Sequence, residues 1–571
     1  MRGRWLCALT WTIAFGGSAA LAGPVALPNG VEGRLAAGAA QDLIVEYEAT
    51  DIDLEATALR AQAGLAHEDA AILARKMSRF AALKAAVRGA VPIAEMETLQ
   101  DYSHLPMSLH RVKTLRALTA LRNDPRVKGI YPDEIKYSTA AADLAFVDQP
   151  PVVLGGDTGQ GATILVLDSG VNYTLSDFGS CTAPGVPSSC RVVSGSLDDC
   201  SHGTNVSAIA ASVAPKAKLA VYDVATCTNP ATWQWTTMDS TVIAGINWGI
   251  SHKSTYNIVA INMSLGSNAL YAGSCTGTAY STPVNQARAA GILPVASSGN
   301  AASSSSMSSP ACVPGVLAVG AVYDVPFNGG VGSANCSDSN PRADQVICFS
   351  NSSSALSILA PGMWITAGGL TGSGTSMAAP FVAGGVAVLR AAFPSETLDQ
   401  TATRLTGGGV PITDARNGLV RPRLDLWAAD LRNDAFASRQ PLVKGVGSVK
   451  VLSRIATVET GEPHHAGLTG GKSVWWKWVA PVSGSVRIHT HGSSFDTVLA
   501  VYTGSSVTSL TAVASNNNDG SVGGASGVTF RAQKGVEYQI AVDGVAGASG
   551  TVVLNWNQTA WLSPILNYIL R

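Results

Sequence analysis

The sequence contains few charged side chains and almost no net charge. Asp, Glu, Lys and Arg make up 13% of the 571 residues, and the formal net charge is −1. Because there is no basic stripe or cluster, nothing indicates a nucleic-acid partner. The sequence also has no C-x-x-C or H-x-x-x-H spacing, which weakens the case for a zinc site. After the N-terminus, no stretch is long and apolar enough to predict a membrane span.

Cysteine is absent from the regions on both sides of one central block. The cysteines other than Cys7 are Cys181, Cys190, Cys200, Cys227, Cys275, Cys312, Cys336 and Cys348. An even number in an exported chain favours disulfides. We expect neighbours in the sequence to pair, as 181–190, 200–227, 275–312 and 336–348, although sequence alone does not decide the connectivity. This pattern predicts one disulfide-bonded domain between two cysteine-free ones.

The N-terminus has the pattern of a secretory signal peptide. Arg2 and Arg4 precede an apolar run from Trp5 to Phe15, and a stretch of small residues ends at Ala22. The apolar run is short for a membrane anchor, which must span about 30 Å. We therefore expect residues 1–22 to be removed and the protein to be secreted, through the periplasm if the organism is Gram-negative.

The middle of the chain alternates apolar strands with helices. A chain of this length predicts two to four domains. Within residues 143–430, helical stretches such as 203–213 and 237–251 separate continuous apolar runs, which are typical of buried parallel strands. The predicted strands are 162–167, 218–222, 258–263, 292–296 and 316–322. The pattern predicts an α/β fold with a doubly wound, mainly parallel sheet, whose reactive groups gather at the carboxyl ends of the strands.

One glycine-rich stretch, Gly372 to Leu389, organises the chain. It contains G-T-S-M-A-A-P, in which Ser376 lies at the start of a small-residue helix. Unpaired backbone N–H groups and the helix dipole would face the serine oxygen there. A lone serine after glycine is more often a helix cap, but the full heptad resembles the nucleophile motif of the subtilisin-like serine proteases, or subtilases.

Three further motifs extend this resemblance. Asp168 ends I-L-V-L-D, His202 begins H-G-T-N, and Asn300 ends P-V-A-S-S-G-N. Each alone has an ordinary explanation as a turn or cap residue, but together with Ser376 they occur in the subtilisin order. The resemblance implies that Ser376 is the nucleophile, His202 the general base and acid, and Asp168 the group that orients the imidazole. It implies that Asn300 and the Ser376 N–H bind the oxyanion.

The motif around His202 departs from the family pattern at two positions. The family commonly has a second histidine where this chain has Asn205, and often glycine where it has Ser201. Neither departure replaces a residue to which the resemblance assigns a catalytic role. Cys200, two residues before His202, suggests that a disulfide holds this segment.

Two short segments resemble those that bind substrate in subtilases. N-M-S-L-G resembles the segment that pairs with an extended peptide by strand addition. The residues implied to line the S1 and S4 side are Ser264, Leu265 and Gly266, and those implied for the opposite S1 wall are Ser297, Ser298 and Gly299. These small residues do not reveal the P1 preference.

Residues 23–142 predict a small α+β domain. The expected strands are 43–47, 105–112 and 127–131, and the expected helices are 53–89 and 114–121. The stretches Y-S-H-L-P-M-S-L and N-D-P-R-V-K-G-I-Y-P-D resemble the inhibitory propeptide of secreted subtilases. The alternative is an N-terminal domain that the mature protein keeps. A propeptide would be cut between about 137 and 148.

Residues 431–557 predict an all-β domain, followed by a tail at 558–571. Short alternating strands between Gly, Asn and Ser turns indicate a β-sandwich or jelly roll. The region resembles the bacterial pre-peptidase C-terminal domain type. It would either aid export and be trimmed, or bind an insoluble substrate through Trp475, Trp476 and Trp478, although alternation places at least one of these in the core.

Signals for a metal are weak. Asp198, Asp199 and the turn 516–520 could contribute calcium ligands, but solvated turns explain them better. The histidines at 464, 465, 489 and 491 are better explained as exposed polar positions of a β domain. We expect that no cofactor is required, and a structural calcium ion is possible but unsupported.

The combined prediction is a secreted, monomeric serine endopeptidase made as a self-processing zymogen. Its partners would be protein or peptide substrates and its own propeptide, which acts as an intramolecular inhibitor. The first alternative is an inert binding or adhesive protein on a subtilase scaffold. The second is an esterase or transpeptidase that uses the same three side chains.

Overall fold

The computed structural model describes residues 25, 27, 31–36, 40–133, 135–136, 144–333, 336–520 and 524–560. The predicted signal peptide and residues 561–571 of the predicted tail lie outside the described residues. So does most of the span in which the propeptide cleavage is expected. The chain divides into two compact units.

The first unit comprises Met1–Ala49, Ala82–Asp101 and Pro106–Pro132, and the second comprises Thr50–Ala81, Tyr102–Leu105 and Asp133–Arg571. In chain order, the elements up to residue 136 are α1 (Val31–Ala36), β1 (Gln41–Tyr47), α2 (Thr50–Gln62), α3 (Ala70–Arg88), β2 (Met96–Tyr102), β3 (Met107–Val112), α4 (Leu115–Asn123), β4 (Val127–Pro132) and β5 (Ile135–Lys136).

The first unit contains a sheet in the order β2–β3–β1–β4, in which β1 pairs antiparallel with both neighbours. One prediction for this region is wrong, and one strand was not predicted. The expected helix 53–89 is two helices, because the chain turns at Gly64, which has a left-handed φ of 65°. The strand β2 was missed because the five residues inside it are exposed and its sequence lacks apolar alternation.

From residue 144 to residue 430 the elements are α5 (Gln149–Leu154), β6 (Thr163–Asp168), β7 (Val192–Ser194), α6 (His202–Val213), β8 (Lys218–Asp223), β9 (Thr226–Asn229), β10 (Gln234–Met238), α7 (Asp239–Ser251), α8 (Lys253–Tyr256), β11 (Ile258–Met263), β12 (Leu270–Tyr271), α9 (Ser281–Ala289), β13 (Leu293–Ser297), β14 (Met307–Ser308), β15 (Leu317–Val322), β16 (Gly330–Ser333), β17 (Cys336–Ser339), β18 (Ile358–Pro361), β19 (Ile365–Ala367), β20 (Leu370–Gly372), α10 (Thr375–Ala392), α11 (Leu398–Gly408), β21 (Val410–Thr413), β22 (Val420–Arg423) and α12 (Leu426–Ala429).

Nine of these strands form the central sheet, in the order β21–β22–β18–β15–β13–β11–β6–β8–β7. Neighbouring strands run parallel except β21 and β22. The five strands and two helices predicted for this region are confirmed, with bounds that differ by at most two residues. The strands β6, β11, β13 and β15 are buried along their whole length, as expected of central parallel strands.

The helix α10 packs against α6 and against the strands β11, β13, β15 and β18. Its small and apolar residues are almost all buried, so this helix is part of the core. The predicted site lies at the carboxyl ends of the strands of the same region. Among the described helices, α10 alone has the length and hydropathy to cross a membrane, and 89% of that stretch is buried inside the structure.

The four disulfides join sequence neighbours. The bonds are Cys181–Cys190, Cys200–Cys227, Cys275–Cys312 and Cys336–Cys348. The expected pairing is therefore confirmed. Each bond closes a loop of fewer than forty residues, since the sequence separations are 9, 27, 37 and 12.

Beyond residue 430 the strands are β23 (Gln440–Leu442), β24 (Val446–Leu452), β25 (Val474–Val479), β26 (Gly484–His489), β27 (Thr497–Thr503), β28 (Thr511–Asn516), β29 (Gly527–Ala532), β30 (Glu537–Gly544) and β31 (Thr551–Ala560). They form two sheets, β23–β25–β30–β27–β28 and β24–β31–β26–β29. The last strand runs to Ala560, past the boundary expected at 557.

Side chains from both sheets share one apolar cluster, which includes Trp476, Trp478 and Trp556. Trp475 lies in a smaller neighbouring cluster. The tryptophans at 475, 476 and 478 are at most 2% exposed. The idea that they bind an insoluble substrate is therefore wrong, because they present no surface to it. His465 is also buried, between Glu462 and Tyr502, and is not the exposed residue that the sequence suggested.

Candidate active site

Asp168 lies at the carboxyl end of β6 and is completely buried. Its Oδ1 accepts hydrogen bonds from the Ser169 N–H at 2.9 Å and from His202 Nδ1 at 2.6 Å. Burial raises the pKa of the Asp168 carboxyl, and the adjacent His202 opposes this shift. A buried carboxylate in contact with an imidazole N–H can orient the ring and stabilise its protonated form.

His202 is the first residue of α6 and is also fully buried. The chain enters the helix through Ser201, whose φ of 66° is left-handed. This conformation explains why glycine suits the Ser201 position in the family. At Gly203, a Cβ atom would lie 2.2 Å from the Gly170 carbonyl oxygen, so a larger residue would push α6 away from the end of β6.

Asp198 organises the loop before His202, a role that the sequence did not reveal. Its Oδ1 accepts from Ser169 Oγ and from the N–H groups of Cys200 and Ser201, each at 2.9 Å. Its Oδ2 accepts from the N–H and hydroxyl of Thr204. Because protein donors already occupy this carboxylate, it fits a structural role better than the calcium ligand considered from the sequence.

Ser376 follows the first residue of α10 and is 2% exposed. Its Oγ donates to the Ser264 carbonyl oxygen at 3.1 Å, and Ser264 Oγ donates in return to the Ser376 carbonyl oxygen. Asn262 Nδ2 donates to Ser264 Oγ at 2.9 Å. These bonds hold the start of α10 against the segment that follows β11.

Asn300 is fixed to the residue before Ser376. Its Oδ1 accepts from the N–H of Thr375 at 2.8 Å and from the Thr375 hydroxyl at 2.9 Å. The Gly299 N–H donates to the same hydroxyl at 3.1 Å. The side-chain oxygen accepts these two bonds from Thr375, and the NH2 end of the Asn300 amide is the end that can act as a donor.

The structure brings together the two groups of predicted substrate-binding residues. Ser264 to Gly266 directly follow β11, and Ser297 ends the adjacent parallel strand β13. Ser297 Oγ donates to the Leu265 carbonyl oxygen at 3.3 Å. Ser298 and Gly299 continue from β13 towards Asn300. All except Gly266 are buried, so their backbone groups and the space between the strands would form the site.

Asn205, which stands where the family commonly has histidine, connects α6 to the hairpin before Ser376. It is fully buried, and its Nδ2 donates to the carbonyl oxygens of Ala367 and Leu370 at 2.9 and 3.0 Å. Ala367 ends β19 and Leu370 begins β20, and this hairpin leads into α10. Asn205 therefore links the helix of His202 to the segment that carries Ser376.

Sequence reasoning missed the strand β10 at the edge of this site. It pairs antiparallel with β9 on one side and with β5 on the other. Its Trp235 packs edge-on against His202, with ring centroids 5.8 Å apart. The predicted helix 237–251 overlaps the last two residues of β10. The alternation of tryptophan and polar residues in W-Q-W-T-T was the available signal for a strand.

The chain is similar to known proteins over the region that carries these residues. The subtilase family model matches residues 159–409. Subtilisin E of Bacillus subtilis (strain 168) is 33% identical over 311 residues, which cover 51% of this chain and 72% of that protein. The extracellular serine proteinase of Thermus sp. (strain Rt41A) is 30% identical over 332 residues, covering 54% and 72%. The thermostable alkaline protease of Halalkalibacterium halodurans is 30% identical over 328 residues, covering 54% and 80%.

The chain therefore belongs to the subtilase family, and it is a subtilisin-like serine endopeptidase with the α/β fold of that family.

Proposed function

We propose that Asp168, His202 and Ser376 carry peptide hydrolysis, with Asn300 and the Ser376 N–H as oxyanion donors. The observation that carries this proposal is the 2.6 Å hydrogen bond between His202 Nδ1 and Asp168 Oδ1, both fully buried. This bond directs the other ring nitrogen, Nε2, to act as the base. The packing of α6 against α10 supports the pairing of His202 with Ser376.

In the proposed reaction, Ser376 Oγ attacks the substrate carbonyl carbon and His202 Nε2 takes the hydroxyl proton. The imidazolium formed is stabilised by ionised Asp168, and the oxyanion by the two N–H donors. His202 then gives its proton to the leaving amine, and an acyl-enzyme remains. Water, deprotonated by His202, hydrolyses the ester and restores Ser376. The reaction needs no cofactor, because protein groups supply the nucleophile, the base and the donors.

We also propose that residues 23–142 are a propeptide. The antiparallel pairing of β5 with β10, with Lys136 opposite Thr237 and Ile135 opposite Met238, supports this. An extended segment added to the edge of a site is how a peptide substrate binds by strand addition. A cut between residues 137 and 148 would separate this segment from the region that carries the catalytic residues.

Contacts within the second unit support the same role. The Asp133 carboxylate accepts from the N–H and hydroxyl of Ser240, near the N-terminus of α7, where a negative charge is favourable. The Tyr102 hydroxyl donates to the Ser240 carbonyl oxygen at 2.9 Å. Lys76 Nζ donates to Gln286 Oε1 on α9 at 2.5 Å. Segments before residue 137 are thus bonded to two helices of the region 143–430.

Secretion and the C-terminal region complete the proposal. Four disulfides fit an oxidising compartment, and one relative is named an extracellular serine proteinase. For residues 431–557, which resemble a pre-peptidase C-terminal domain, we retain the role in export followed by trimming. Among the described residues, no three or more His, Cys, Asp or Glu side chains form a group suited to a metal, and the proposal includes no structural calcium ion.

The decisive experiment compares wild type with Ser376→Ala and, as a control, Ser354→Ala, which changes an exposed serine. We expect a fluorophosphonate to label wild type and Ser354→Ala, and the Ser376→Ala protein to remain unlabelled, inactive and uncut. N-terminal sequencing of the secreted proteins would locate the cut. An unlabelled and inactive wild type would favour the inert scaffold, and cleavage of esters without peptides would favour an esterase.

A further inference from the structure

Trp235 forms a rigid wall beside the proposed catalytic base. Its indole ring is edge-on to the His202 imidazole, at an interplanar angle of 64° and a centroid distance of 5.8 Å. Only 1% of the residue is exposed. A side chain of this size that is completely buried has little freedom to move aside for a ligand.

The hairpin that carries Trp235 is bonded to the segment that carries His202. In the pairing of β10 with β9, Trp235 lies opposite Cys227. Cys227 forms a disulfide with Cys200, two residues before His202. The disulfide therefore limits how far the indole can separate from the imidazole.

The edge of β10 that pairs with β5 defines where a substrate side chain would meet this wall. In the register of β5, Thr237 lies opposite Lys136. Trp235 comes two residues before Thr237 in β10. In an antiparallel pair, it therefore lies opposite the peptide residue that comes two positions after the one opposite Thr237. Directly opposed residues in an antiparallel pair have their side chains on the same face. A peptide in this register would direct one side chain towards the indole, next to His202.

We propose that Trp235 is a specificity-determining residue that restricts the substrate residue opposite it to small side chains such as Gly, Ala and Ser. This inference rests on the proposed function, because it assumes that peptides bind along β10. The sequence after Tyr137 is S-T-A-A-A, so the first part of the stretch in which self-cleavage is expected consists of small residues. A bulky residue there would have to displace the indole or shift the peptide away from the base.

The test uses pairs of fluorogenic peptides that differ only by Ala or Phe at one of the four residues before the scissile bond. Each pair competes for the same secreted enzyme, so a smaller folded fraction cancels from the ratio of kcat/KM values. We expect wild type to prefer Ala over Phe at one of these positions by about 10-fold or more, in the range that hydrophobic pocket size provides. Trp235→Ala should reduce this preference by about 10-fold at that position.

Trp233→Ala is the matched control, because Trp233 immediately precedes the same strand but is only partly buried. It should keep the wild-type ratios. A second variant, Trp235→Leu, retains an apolar core residue and should give an intermediate ratio. The proposal is overturned if wild type accepts Ala and Phe equally at all four positions, or if Trp235→Ala leaves every ratio unchanged. Fluorophosphonate labelling separates these outcomes from failure of the proposed function, which would leave wild type unlabelled and inactive.

Discussion

Asp198 and Thr204 are joined by two hydrogen bonds to one carboxylate oxygen, from the Thr204 N–H at 2.7 Å and its hydroxyl at 2.5 Å. The other oxygen binds Ser169, the neighbour of Asp168, as well as two N–H groups of the loop. Asp198 thus connects the first turn of the helix that begins at His202 to the end of the strand that carries Asp168. Asp198 is a positioning residue, because it acts on Asp168 and His202 only through the neighbouring residues to which it is bonded.

Asp198→Asn should lower kcat by about 10- to 100-fold with little change in KM, because hydrogen bonds to a charged group contribute about 1.5–3 kcal/mol. Burial is the largest cause of the raised pKa of Asp168, and the charge of Asp198 adds to it. Removing it should lower that pKa, so the loss of activity in acid should move to lower pH. Asp199→Asn, which changes the exposed neighbouring acid, is the control and should match wild type. A fall in kcat without any shift in the pH profile would mean that Asp198 only supports the loop.

Asn300→Ala should lower kcat by about 100- to 1000-fold and leave KM nearly unchanged, since the lost donor acts on the developing oxyanion. This magnitude was measured on subtilisin, a member of the same family. The steady-state parameters of the purified variant, normalised to active sites titrated with a fluorophosphonate, check the prediction. An increase in KM at constant kcat would instead assign Asn300 to substrate binding.

Removal of the Cys200–Cys227 disulfide should affect both stability and specificity. Opening its 27-residue loop should cost about 3–4 kcal/mol by loop entropy. The double Cys→Ser variant should also weaken the preference for small substrate residues, because the hairpin of Trp235 is no longer tied to Cys200. The matched control removes Cys181–Cys190, with a separation of 9, which should cost about 2.6 kcal/mol and leave specificity unchanged. Chemical denaturation and peptide competition measure the two effects. Equal effects of both variants on specificity would contradict the prediction.

Because of Asp430, the free energy of unfolding should be smaller in mild alkali than in mild acid. Burial and the nearby Asp157 raise its pKa to about 7, and Arg432 opposes the shift. A carboxyl whose pKa is higher in the native state keeps its proton there after the unfolded chain has lost its own. Its stabilising contribution is therefore complete below the unfolded pKa, near 4, and is lost as the pH rises through about 7.

Melting temperatures at pH 5 and pH 8 test this prediction in a Ser376→Ala background, which avoids self-digestion. Asp430→Asn, which is neutral at both pH values, should lose less stability between them than the parent does. Asp199→Asn, at an exposed site, should behave like the parent. An equal drop in melting temperature for the Asp430→Asn variant and the parent would refute the assignment.

The sequence by itself determined the features that are encoded in contiguous residues. Continuous apolar runs predicted β6, β8, β11, β13 and β15, because a central parallel strand must be apolar on both faces. The motifs around Asp168, His202 and Ser376 each lie at a strand end or helix start, where local backbone geometry depends on a few adjacent residues. Each disulfide also joins two cysteines that are consecutive in the sequence.

Only the tertiary structure decided which distant residues meet. The edge strand β2 was missed because exposed strands need no apolar pattern, and the roles of Asp198 and Trp235 depend on partners that local motifs do not specify. The burial of Trp475, Trp476 and Trp478 likewise depends on how two sheets pack. Chemistry at Ser376 can therefore be predicted from a heptad, whereas the wall beside His202 arises from packing between segments that are separate in the chain.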